Sequence, residues 1–171
     1  RNTLCNRLLK ILKNYQGVKM HSTMLWFDLE KTIIEEWEKP FTINEDKIRE
    51  IIEKIDVRSI SIFSFAVYNE KDIATFNRII KPNIEKTFNV TIENIPTYQD
   101  ILNTIKNGYK GTHFDEEDFH AFWTKGRAFI DYIRFSTFNK GSHILFDDMV
   151  DNWDIEHRSL DISIRNIDKY K

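Results

Sequence analysis

The run Met24-Leu25-Trp26-Phe27 is apolar at every position and stops abruptly at Asp28-Leu29-Glu30-Lys31-Thr32. Apolar residues without alternation predict a strand buried on both faces, here one that delivers carboxylates to its C-terminal edge. After Pro40, the residues Ile48, Ile51, Ile52 and Ile55 recur at three and four positions, which predicts an amphipathic helix with Asn44 or Asp46 as its cap. Ile60 to Val67 predicts a second strand, and Glu70 to Ile80 a helix stopped by Pro82. Val90, Ile92 and Ile95 mark a short strand before Pro96, and Gln99 to Lys106 a helix. A longer, aromatic-rich helix is expected from Asp115 or Glu116 to about Phe135, with Phe119, Phe122, Trp123, Phe129 and Tyr132 as core and Lys125 inside it. Gly141 signals a turn into the strand His143-Ile144-Leu145-Phe146, which again ends in acids, Asp147 and Asp148. The alternation of Leu160 to Arg165 fits an edge strand with one wet face. Strands alternating with helices predict an α/β fold, a parallel sheet with helices on both faces.

Composition narrows the class. With 171 residues, 41% hydrophobic and 30% charged, the chain has material for one domain with a real core. The single cysteine, Cys5, excludes an intramolecular disulfide and leaves no basis for a cysteine-built zinc site. A reducing, cytoplasmic setting is expected, the host cytoplasm if the chain is viral. No stretch reaches the roughly 18 apolar residues of a membrane span, so no membrane partner is expected. Residues 1–23 carry Arg1, Arg7, Lys10, Lys13 and Lys19 and no acid, which makes this arm +5 and leaves the body at −7 against a total of −2. An acidic body argues against a broad phosphate-tracking surface. Leu4, Leu8, Leu9, Ile11 and Leu12 allow a short amphipathic helix in the arm, and an accessory extension is the plainer reading. Met20 or Met24 is a candidate start, so residues 1–23 are set apart from a single domain over 24–171.

In open parallel sheets, ligands bind beyond the carboxyl ends of the strands. Those places hold Asp28 and Glu30, then Ser64, then Asp147 and Asp148, with Asp151 and Asn152 just beyond. Carboxylates converging in one crevice raise one another's pKa unless a cation sits among them. A hard divalent ion is implied, and magnesium suits an oxygen-only set that must also accept a phosphate. Asp28 could attack phosphorus, Ser64 could bond a phosphate oxygen, and Lys125 could neutralise developing charge.

On these residues the chain resembles the haloacid dehalogenase (HAD) superfamily of aspartate-nucleophile phosphohydrolases. The first motif of that family, a strand followed by Asp-x-Asp-x-Thr, is similar to Leu25-Trp26-Phe27-Asp28-Leu29-Glu30-Lys31-Thr32. The second resembles Ile62-Phe63-Ser64, the third Lys125 within Trp123 to Arg127, and the fourth Ile144-Leu145-Phe146-Asp147-Asp148, all in the family's order. The phrases Phe65 to Asp72 and Phe146 to Asn152 resemble uncharacterised HAD-like proteins of bacteriophages. The resemblance implies a three-layer, Rossmann-like fold with Asp28 as nucleophile and Glu30 as general acid and base. It further implies Ser64, Lys125 and Thr32 on phosphate, and Mg2+ held by Asp28, Glu30, Asp147 and Asp148, with Asp151 and Asn152 secondary. Glu30 stands where the family usually has Asp, and Lys31 where it has a small residue. The short stretch from Thr32 to Ser59 leaves no room for a large cap domain, which implies an open cleft and a bulky substrate such as a nucleic-acid end or a nucleotide.

Each feature also has a plain reading. Asp28 with Glu30 could be a solvated loop pair, Ser64 an ordinary strand end, Lys125 a surface lysine, and Asp151 and Asn152 loop or cap residues. His113, His120, His143 and His157 lack metal-ligand spacing and read as structural. A rival enzyme class is the DEDD-type 3′–5′ exonuclease, whose first motif resembles Asp28-x-Glu30-x-Thr32 and whose last resembles the stretch His157 to Asp161, although Ile162 stands where its final Asp belongs. A third class is a catalytically idle HAD-like binding module.

Overall fold

The computed structural model describes residues 22–149 and 155–170, so the arm up to residue 21, together with Asp151, Asn152 and Trp153, lies outside the described residues. The chain runs β1 (Thr23–Phe27), β2 (Ile34–Glu36), β3 (Lys39–Thr42), α1 (Glu45–Ile55), β4 (Ser59–Ile62), α2 (Glu70–Thr75), a π-helical segment (Phe76–Ile80) and α3 (Lys81–Phe88). It continues through β5 (Thr91–Asn94), α4 (Tyr98–Gly108), α5 (Glu116–Phe122), α6 (Lys125–Phe135), β6 (Ser142–Asp147), β7 (Ile155–His157) and β8 (Ile162–Asn166). The sheet order is β5-β4-β1-β6-β8-β7, with every pair parallel except the antiparallel edge strand β7. The protein is therefore α/β, with a mostly parallel six-stranded sheet, as the alternating elements predict.

The apolar run of β1 is buried because it has a core on each side. Leu25 and Phe27 join Ile60, Ile62, Ile48, Ile51, Phe76, Ile80 and Ile84 on one face, under α1, the π-helical segment and α3. Trp26, pointing the other way, joins Leu145, Ile164, Ile101, Ile105, Phe129 and Ile133 under α4 and α6. Trp26 is fully buried, with Phe63, Phe129, Tyr132 and Phe138 edge-on to it. Its indole Nε1–H donates to His143 Nδ1 at 3.2 Å, and the other imidazole nitrogen lies 2.6 Å from the Phe138 carbonyl, which can only accept. These two partners fix a neutral imidazole protonated at Nε2, a structural role for His143.

Five expectations need correction. Between Thr32 and Ser59, where the sequence pattern predicts one helix alone, lies a β2-β3 hairpin as well as α1. Asn44 takes the cap position of α1 in a left-handed conformation, and its side chain donates instead to the Thr32 carbonyl at 2.9 Å. The helix that opens at Glu70 does not stop at Pro82, because the preceding turn widens into the π segment, where Lys81 N–H donates to the Phe76 carbonyl, and the chain stays helical to Phe88. The long aromatic helix is two helices, broken at Trp123, where Thr124 Oγ1 caps α6 by accepting from Arg127 N–H at 3.1 Å. Last, β8 is covered by β7 and is not the sheet edge.

Candidate active site

Parallel pairing of β1 with β6 matches Phe27 to Phe146, and Asp28 N–H continues the ladder to the Phe146 carbonyl at 2.9 Å. Asp28 therefore leaves the sheet beside Asp147, the last residue of β6, with Asp148 next. On the other side, Phe63 N–H donates to the Phe27 carbonyl at 2.9 Å, which brings Ser64 to the same edge although β4 proper ends at Ile62. The break before α6 makes Lys125 its first residue rather than an interior one. Its ammonium reaches Asp28 Oδ1 at 2.8 Å and Asp147 Oδ2 at 3.3 Å.

Among the described residues, Asp28, Asp147 and Asp148 form the single group of potential metal ligands whose donor atoms lie within 4.8 Å of one another. Three carboxylates face one ammonium, so negative charge is in excess. Burial pushes the Asp28 carboxyl up to about 8, against the pull of the Lys125 ammonium and with a further push from Asp147. Asp148 is also raised, by burial and then by Asp147. Burial would raise Asp147 too, but Lys125 and the Met149 N–H, which donates to its carboxylate at 3.2 Å, hold it below the usual range. Lys125 is raised, since Asp28 and Asp147 outweigh its desolvation. An all-oxygen donor set with surplus charge fits a hard cation such as Mg2+, and these three acids could hold one.

The remaining expected residues divide. Ser64 is 3% exposed, lines the same cleft, and accepts from Ala66 N–H at 3.2 Å. Thr32 is fully buried behind Asp28, its hydroxyl 3.5 Å from Oδ2. Glu30 lines the cleft but stands outside the group of three acids; its Oε2 accepts from Trp37 N–H at 2.9 Å, which ties it to the turn of the β2-β3 hairpin. Lys31, at a left-handed φ of 60°, turns outward to pair with Glu35. Asp151 and Asn152 lie outside the described residues. Of the acids and histidine singled out near the C-terminus, His157 lies 3.4 Å from Arg134 and Asp161 accepts from Ser142, neither being part of the acid group.

The cleft has a volume of about 550 Å³, and its walls include Phe65, Ala66, Ala121, Phe122, Trp123 and Met149. Helical spacing places Phe122 in the core with its aromatic neighbours, but it is 77% exposed, whereas Phe119, Phe129 and Tyr132 are buried. Helical periodicity concealed this, and Thr124 was the signal that the helix restarts. No described helix is long and apolar enough to cross a membrane. No family model, curated protein or solved structure matches the chain.

Proposed function

We propose that the protein is a magnesium-dependent phosphohydrolase of the HAD type, Rossmann-like and without a large cap, acting on a phosphate ester through an aspartate nucleophile. The observation that carries this reading is the position of Lys125, with Asp28 and Asp147 on its ammonium and Asp148 and Ser64 at the same sheet edge. Residues at the ends of three adjacent strands and at the start of one helix, named in sequence order by the motif resemblance, stand at one sheet edge. A bound Mg2+ on Asp28, Asp147 and Asp148 would supply charge neutralisation for a phosphoryl group.

In this reading the Asp28 carboxylate attacks phosphorus, a P–O bond forms to the aspartate, and the bond to the leaving oxygen breaks. Glu30 donates the proton that the leaving oxygen needs, then takes one from the water that hydrolyses the aspartyl phosphate. Lys125 keeps Asp28 oriented and faces the developing charge, and Ser64 offers a hydroxyl to a phosphate oxygen. The open cleft suits a nucleotide or a nucleic-acid end. The exonuclease reading needs a fourth acid and a histidine on the metal set, and Glu30, His157 and Asp161 all stand outside the group formed by Asp28, Asp147 and Asp148.

The test is phosphate release with Mg2+ from p-nitrophenyl phosphate and from a 3′-phosphorylated oligonucleotide, with Asp28→Asn in parallel. Release that disappears in the variant, with an unchanged circular dichroism spectrum, is the expected result. Shortening of a 3′-hydroxyl oligonucleotide would establish the exonuclease instead, and inertness toward every substrate would favour the idle binding module.

A further inference from the structure

Phe122 closes α5 and is 77% exposed on the rim of the cleft that holds Asp28, Lys125 and Asp148. Met149, 46% exposed, lines the same cleft, and Phe65 and Trp123 complete an apolar rim above a charged floor. Two of these rings are already occupied on one side. The Arg127 guanidinium lies 3.7 Å from the centroid of Trp123, and Phe65 packs edge-on against Tyr98 at 5.2 Å. Phe122, by contrast, is 77% exposed on the wall of the cleft.

Charge around the cleft limits what that is. Among the described residues, the cations lining it are Lys31 and Lys125, the first paired with Glu35 and the second with Asp28 and Asp147. Asp28, Glu30 and Asp148 line it as well, and Glu116, Glu117 and Asp118 make up the first turn of the helix that carries Phe122. Such a surface has capacity for one phosphate at its floor and repels a chain of further phosphates. An exposed aromatic ring beside a single-phosphate site matches a flat, uncharged ring on the ester.

We infer that Phe122 is a specificity-determining residue, and that the cleft takes a monophosphate ester carrying one aromatic or heteroaromatic ring, such as a nucleoside monophosphate, in preference to a polyanionic strand. This rests on the phosphohydrolase reading and narrows its substrate. Stacking of one base on one ring is worth about 5- to 150-fold in affinity. The break at Trp123 that sets Lys125 at the head of α6 also sets Phe122 at the rim, so one backbone feature positions both the phosphate and the ring contacts.

The experiment is steady-state phosphate release with Mg2+ from adenosine 5′-monophosphate, from ribose 5-phosphate, which is the same ester without its base, and from a 3′-phosphorylated oligonucleotide. Wild type should favour the mononucleotide over ribose 5-phosphate by about tenfold or more in kcat/KM. Phe122→Ala should collapse that ratio mainly through KM, and Phe122→Trp should keep it; the exposed position makes both variants foldable, which thermal melting checks. An unchanged ratio in Phe122→Ala, or a preference for the oligonucleotide, overturns this inference and leaves the phosphohydrolase standing. Absence of turnover on all three esters overturns both.

Discussion

The Lys125 ammonium stands 2.8 Å from Asp28, although the two residues are separated by most of the fold, and it reaches Asp147 with the same three protons. This cation decides the electrostatics of the sheet edge. It holds Asp147 below the usual carboxylate range, and it is itself raised by the acids it serves.

Replacing Lys125 by Met keeps much of the side-chain volume and removes the charge. Two buried carboxylates then lose their shared ammonium, and the expected destabilisation is about 3–5 kcal/mol in urea unfolding. Adding Mg2+ should recover part of that loss. A Lys125→Met protein as stable as wild type without metal would show that the ion pairs contribute little.

Magnesium should raise the melting temperature of the wild-type protein at fixed ionic strength, corresponding to about 2.7 kcal/mol when the ion is at a hundred times its Kd. Asp148→Asn removes one of the three acids at a position that is only half-buried, so the fold should persist while the shift shrinks or disappears. An equal shift in the variant places the ion elsewhere.

Glu30→Gln preserves an acceptor for Trp37 N–H, so melting should change little. Loss of the proton donor should slow hydrolysis of an alkyl phosphate by about 10²- to 10⁴-fold. The effect on p-nitrophenyl phosphate should be smaller, because its leaving group needs less protonation. Equal losses on the two esters would assign Glu30 to positioning the hairpin.

His143 supplies a pH dependence of stability. Burial lowers its pKa, with the Phe138 carbonyl and Asp161 opposing, so the folded state keeps the imidazole neutral while the unfolded chain protonates near pH 6.5. Above that pH the residue adds no slope. As pH falls below it, the unfolded state binds the extra proton and stability falls, by at most about 1.4 kcal/mol per pH unit. His143→Gln, which offers both an acceptor and a donor without a charge, should lose that component. Measured as the difference in unfolding free energy between the two proteins, the advantage of wild type should narrow from pH 7 to pH 5.

The corrections share a physical origin. The hairpin after Thr32 reads Ile34-Glu35-Glu36-Trp37-Glu38-Lys39-Pro40-Phe41-Thr42, too charged and too short to announce strands, and it forms through links such as Glu30 to Trp37 and Ile43 N–H to the Ile33 carbonyl. Pro82 carries its usual meaning of a helix stop in sequence, and the π segment that accommodates it is not visible there. Phe122 shares the spacing of the buried aromatics around it, and only the cap at Thr124 separates them.

The sequence by itself determined the strands β1, β4 and β6, with acids at the ends of β1 and β6 and Ser64 beyond β4, because an apolar run buried on both faces must stop where polar groups begin. It also determined the α/β class, since alternating elements of these lengths close only as a parallel sheet with helices against it. Tertiary structure decided which acids share a cation. Strand order and register put Asp28, Asp147 and Asp148 together, the start of α6 brought Lys125 to them, and the hairpin drew Glu30 to Trp37. Distances between residues far apart in the chain are set by packing, and residue type and spacing carry no record of them.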